Sequence, residues 1–99
     1  MTTAEIKKEM QNTLKANGWT KCYGAYGLNL SAGAKQLEKR NATIGFGYIE
    51  DDRYDAEATF QKFTTSKEFT EMLKKIGGTY EREEKKDGGW TILYIRIHF

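Results

Sequence analysis

The sequence predicts an α+β fold: an antiparallel sheet of four to five strands with two helices packed on one face, in the order α-β-β-β-α-β-β. Three observations point there. The last ten residues, Trp90–Phe99, alternate with period two, and Leu93, Ile95, Ile97 and Phe99 form a wholly apolar row. Two segments, Thr2–Asn17 and Thr65–Ile76, carry apolar residues at helical spacing behind a Thr-x-x-Glu capping signature. Glycines, and an Asp-Gly pair, fall where the pattern changes period, which is the mark of turns.

Length and composition bound the answer. A chain of 99 residues, 38% hydrophobic and 13% aromatic, is one domain with a single modest core and is not disordered. Sixteen basic against fourteen acidic residues give a net charge of +2, too near balance to indicate nucleic acid by itself. The single cysteine, Cys22, excludes an internal disulfide and a thiolate metal cage. The polar start, Met1–Lys8, does not read as a signal peptide, and no stretch approaches the ~20 apolar residues of a membrane span. A cytoplasmic protein with no membrane, metal or cofactor is expected.

Taken in order, Thr2–Asn17 is the first helix, with Ile6, Met10 and Leu14 on one stripe. Gly18 suits a left-handed C′ position, from which Trp19 would fold back onto Leu14. Thr20–Ser31 reads as a strand in which Gly24 and Gly27 mark a bend, a bulge or a close backbone approach. Ser31–Asn41 fits either a short helix capped by Ser31 and carrying Ala34 and Leu37, or a polar loop. Ala42–Glu50 is a strand with Ala42, Ile44, Phe46 and Tyr48 on one face. Asp51-Asp52-Arg53 reads as a hairpin turn, leading to a further strand over Tyr54–Phe63, although its Ala and Glu content also suits a helix. Thr65–Ile76 is the second helix, with Phe69, Met72, Leu73 and Ile76 apolar and Gly77-Gly78 ending it. Thr79–Lys85 then pairs with Trp90–Phe99 through Lys86-Asp87-Gly88-Gly89.

The block from Lys8 to Thr20 is echoed from Lys67 to Thr79, at an offset of 59 residues; both run helix, glycine, strand. A circularly permuted ferredoxin-like arrangement would give this order with one extra strand. It buries both helical stripes on one sheet face and leaves the other in water. On the last strand that open face carries Trp90, Ile92, Tyr94, Arg96 and His98. Aromatic and arginine side chains are the types enriched at interface hot spots, so Trp90, Tyr94 and Arg96, together with Tyr48, are the expected partner-binding residues.

The segment Gly45-Phe46-Gly47-Tyr48-Ile49 resembles the core of the longer ribonucleoprotein motif of the RNA-recognition-motif family. Ile44 stands where that pattern has a basic residue and Asp51 where it ends on an aromatic. Asp55-Ala56-Glu57-Ala58 echoes the helix that follows the motif, and Tyr26–Leu30 is the candidate for its second motif. Only about a dozen residues separate the two, where that family has a full helix and another strand. The resemblance implies base stacking on strand aromatics and gives an alternative function: RNA or single-stranded DNA binding through Phe46 and Tyr48, with the basic cluster Lys35, Lys39 and Arg40.

Catalytic chemistry finds little support. His98 and Cys22 are each alone of their type. Gly24-Ala25-Tyr26-Gly27 lacks the Lys-Ser/Thr ending of a phosphate loop. The acidic cluster Glu50, Asp51, Asp52 and Asp55 matches no cation-binding spacing and reads as a solvated turn. Glu81–Asp87, mixed in sign, reads as a solvated edge strand. The expected function is a small non-enzymatic protein-binding module, of the inhibitor or adaptor kind found among phages and mobile elements, with a host protein as partner. A second copy of the chain, paired through a strand edge, is another possible partner.

Overall fold

The computed structural model describes residues 1–17, 22–23, 26–49 and 53–99. The helices are α1 (Thr3–Ala16), α2 (Ala34–Glu38), α3 (Arg53–Thr64) and α4 (Lys67–Ile76). The strands are β1 (Cys22–Tyr23), β2 (Tyr26–Ser31), β3 (Asn41–Ile49), β4 (Thr79–Asp87) and β5 (Trp90–His98). All neighbours are antiparallel, and the sheet order is β1-β2-β3-β5-β4. For the four long strands, β2-β3-β5-β4 is the order of a ferredoxin-like sheet whose chain begins at its first helix, as expected. β5 is central, paired along its whole length with β3 on one side and β4 on the other.

The reasons are local. Thr2 caps α1 through a complete capping box: its hydroxyl accepts from the Glu5 N–H at 3.2 Å while the Glu5 carboxylate accepts from the Thr2 N–H at 3.0 Å. The second helix begins one residue later than its signature suggests. Ser66, not Thr65, accepts from the Phe69 N–H, because Thr65 donates its hydroxyl to the Gln61 carbonyl at the end of α3. Gly77 ends α4 at φ 69°, the left-handed conformation that costs glycine no Cβ clash. Gly88, at φ 63°, opens the two-residue turn between β4 and β5, as hairpins of this length require.

Three expectations are corrected. Tyr54–Phe63 is not a strand but lies within α3: Ala56, Phe60 and Phe63 recur at helical spacing and are buried, so the alternation read there is accidental. Arg53 accordingly starts a helix instead of closing a hairpin; Asp51 and Asp52, with Glu50, lie outside the described residues. Thr20–Ser31 is not one strand, since Cys22 pairs with Gly27 and Tyr23 with Tyr26. The ambiguous Ser31–Asn41 segment contains the short helix α2, preceded by Gly33 and not capped by Ser31, with Leu37 buried. Gly18 and Trp19, and with them the expected fold-back, lie outside the described residues.

One core results. Ile6, Met10 and Leu14 of α1 meet Phe69, Met72 and Ile76 of α4 over Ile44, Phe46, Leu93, Ile95 and Ile97 of the sheet. α1 packs against α4, held at its surface by Lys75 Nζ to Glu9 Oε1 at 2.8 Å, and α3 packs against α4 and β3. Phe69 is fully buried, its ring 4.9 Å from that of Phe63 and edge-on to Tyr80 at 5.2 Å. Phe69→Ala should therefore lower unfolding free energy by about 3–5 kcal/mol in urea denaturation. A loss under about 1 kcal/mol would mean that this cluster does not tie α3, α4 and β4 together.

Candidate functional site

The pairing of β3 with β5 decides what faces water. Gly45 lies opposite Tyr94, Gly47 opposite Ile92 and Thr43 opposite Arg96, all on the face away from the core. Large side chains on β5 thus confront a row on β3 that is mostly bare backbone. A methyl group on Gly45 would lie 3.0 Å from ring carbons Cδ1 and Cε1 of Tyr94, so the ring rests directly on the glycine. At Gly47 the corresponding position is 3.6 Å from Cε3 of Trp90, in ordinary contact. The rings lean over the glycines instead of standing off the sheet.

The result is a shallow groove of about 400 Å³. Its floor is Gly45 and Gly47, and its walls are Trp90, Ile92 and Tyr94. Asp87 closes one end; Ser31 and Thr43 close the other. A second hollow of about 420 Å³ continues past Tyr94, bordered by Gln36, Glu83, Lys85 and Arg96. Trp90 is 44% exposed, and Ile92, Tyr94 and Arg96 are half-buried. Of the described elements off the sheet, α2 borders this face, through Gln36, whose Nε2 donates to Thr43 Oγ1 at 3.0 Å.

Charges on this face are mostly paired across β4 and β5. Arg96 donates two hydrogen bonds to the Glu83 carboxylate, at 3.0 and 2.9 Å. This bidentate pair holds the Glu83 carboxyl below its ordinary value of 4.5 and raises Arg96. His98 Nε2 sits 3.2 Å from Glu81 Oε1, within ion-pair distance if protonated but without hydrogen-bond geometry. Glu81, Glu83 and Asp87 together outnumber Lys85 and Arg96 here, so the face does not carry the positive field that phosphate binding requires.

The expected site residues separate into two groups. Trp90, Tyr94 and Arg96 share the open face, although Arg96 is already engaged by Glu83. Phe46 and Tyr48 do not join them. Both point to the helices and are buried, at 4% and 0% exposure, because Gly45 and Gly47, which alternate with them, take the outward positions. The strand aromatics that resemble base-stacking residues are core residues in this protein. The Tyr48 hydroxyl reaches the rim, donating to Glu84 Oε1 at 3.4 Å and accepting from Arg53 Nε at 3.5 Å.

The basic cluster is also divided. Lys35 and Lys39 are exposed, but Arg40 donates from Nε to the Phe99 carbonyl at 2.7 Å and stacks on the Phe99 ring at 5.4 Å. Ile92 lies on the open face that alternation along the last strand predicts; Gly45, Gly47 and Asp87 also belong to the groove and were not placed there by sequence. Their signal is the cross-strand register, which no single strand reveals.

Among the described residues no three or more His, Cys, Asp or Glu side chains converge as metal ligands, and no helix is long and apolar enough to cross a membrane. Comparison with protein-family models, curated proteins and solved structures gives no match.

Two outcomes follow from this geometry. Gly45→Ala should cost about 1–3 kcal/mol and shift the Tyr94 ring resonances in NMR spectra, whereas Gly47→Ala should be tolerated. Equal effects at the two positions would refute the close seating of Tyr94. Because the folded-state value of Glu83 is lowered, its pair with Arg96 adds stability at neutral pH and loses it as pH falls below 4.5. Urea midpoints of wild type and Glu83→Gln should therefore converge in acid; parallel curves down to low pH would show that the pair adds nothing.

Proposed function

We propose that the chain is a non-enzymatic protein-binding module of the inhibitor or adaptor type, docking a partner protein on the open sheet face. One observation supports this above the others: Trp90, Ile92 and Tyr94 form an apolar wall over a glycine floor on the face the helices leave bare. Rigid aromatic rings lose little conformational entropy on contact and bury large areas, which suits them to anchor a partner's apolar side chains. The Glu83–Arg96 pair borders this wall as a polar rim.

The same rings could stack on bases, but the surrounding chemistry favours a protein. The face is not basic, Arg40 and Arg96 are occupied, and the motif-like aromatics Phe46 and Tyr48 are buried. A phosphate-driven complex would need free cations beside the rings.

The test is affinity capture from cells of the source organism with wild type beside the double variant Trp90→Ala, Tyr94→Ala. A protein retained by wild type and lost at least about tenfold by the variant supports the reading, since hot-spot aromatics each contribute about 2 kcal/mol or more. Equal retention by both removes this face from consideration. Binding of mixed single-stranded oligonucleotides at low salt, abolished by the same substitutions, would replace the protein partner with nucleic acid.

A further inference from the structure

The sheet ends on β4, and among the described residues no strand lies beyond it. A nine-residue strand with an unpaired edge is a template for another strand. Every residue of β4 is exposed except Glu83, which is half-buried, and charged side chains crowd both faces. Such charges reject most strands. They do not reject every one.

Two identical strands pair antiparallel about a two-fold axis perpendicular to the sheet, so residues directly opposite lie on the same face. The four axis positions at the middle of β4, where most of the strand overlaps, can be checked for charge. Centred on Glu83, the axis sets Glu81 opposite Lys85 of the second copy and Arg82 opposite Glu84, and symmetry makes each contact twice. Centred on Glu84, Glu81 meets Asp87, Arg82 meets Lys86 and Glu84 meets itself, all like-charged, and only Glu83 opposite Lys85 is attractive. Centred on Arg82, Glu81 meets Glu83 and Arg82 meets itself; centred on Lys85, Glu84 opposite Lys86 is attractive, but Glu83 meets Asp87 and Lys85 meets itself. Of these four registers, only the one on Glu83 has more attractive than repulsive contacts.

Its one like-charged contact is Glu83 against Glu83, and each of these carboxylates already carries the two hydrogen bonds from its own Arg96. On the helix side, Arg82 is paired with Glu57 and Glu84 with Arg53. The new contacts would join these into an alternating row, Glu57–Arg82 of one copy to Glu84–Arg53 of the other. Opposite charges across antiparallel strands stabilise the pairing and like charges oppose it, so one strand sequence both selects this register and excludes its neighbours.

From this we infer that the chain forms a homodimer through β4, with the two-fold axis at Glu83 and one continuous sheet across both copies. The helices of both copies then lie on the same side. Both Trp90–Tyr94 walls remain open on the other, so the dimer does not depend on the proposed docking function.

Sedimentation equilibrium of the full chain tests this, with Glu81→Lys, Lys85→Glu and their combination. Both sites are exposed on the outer face, and circular dichroism confirms that each variant is folded. Wild type should dimerise. Either single variant should self-associate at least about tenfold more weakly, because two attractive contacts become repulsive. The double variant should recover. An equimolar mixture of the two single variants should form heterodimers, since residue 81 of each then meets an opposite charge at residue 85 of the other. A monomeric wild type, single variants that dimerise as well as wild type, or a mixture that fails to associate would each overturn the proposal.

Discussion

The pairing of β3 with β5 is the constraint on which everything else in this molecule rests. It runs unbroken from Asn41 opposite His98 to Ile49 opposite Trp90. Because side chains alternate along both strands, this single register sorts the sheet. It sends Ala42, Ile44, Phe46, Leu93, Ile95 and Ile97 inward, where they are buried, and the glycines and large polar and aromatic residues outward. A slip of one residue would reverse every assignment, placing Trp90 and Arg96 against the helices. The cost of burying an arginine without its partner makes such a slip prohibitive.

The two faces are built on opposite principles. The inner face is closed by close packing, with side chains of α1, α3 and α4 filling the space above the sheet. The outer face is shaped by a difference in size between two neighbouring strands, and its hollow exists because Gly45 and Gly47 supply no side chains to fill it. The order β2-β3-β5-β4 makes the helix–strand–strand blocks α1-β2-β3 and α4-β4-β5 equivalent in the sheet. Their outer faces are nevertheless unlike: small residues come from the first block and large ones from the second.

What was legible in the sequence follows from how local each determinant is. β5 announced itself because Leu93, Ile95, Ile97 and Phe99 make an unbroken apolar row, and α1 and α4 because their caps and apolar stripes lie within a few residues of each other. α3 was misread because Tyr54, Ala56, Ala58 and Phe60 alternate as a strand would, while the set that matters, Ala56, Phe60 and Phe63, is short and contains an alanine. Sequence placed Trp90, Tyr94 and Arg96 on the open face. It could not place Gly45 beneath Tyr94, since that contact depends on which residue of another strand lies opposite. The same gap let Phe46 and Tyr48 resemble base-stacking residues, when the helices had already claimed their face.

The order of strands also bears on how the molecule assembles during synthesis. β3 sits beside β5 in the sheet, but α3, α4 and β4 all separate them along the chain. While those elements are emerging, β3 has its inner apolar row exposed and only β2 to pair with. Closing the middle of the sheet waits on the distant partner, which raises contact order and slows folding relative to a helical bundle of equal length. Until β5 arrives, the nascent chain presents a strand with one open edge and an uncovered apolar row, a species that chaperones recognise and that invites misassociation at high expression.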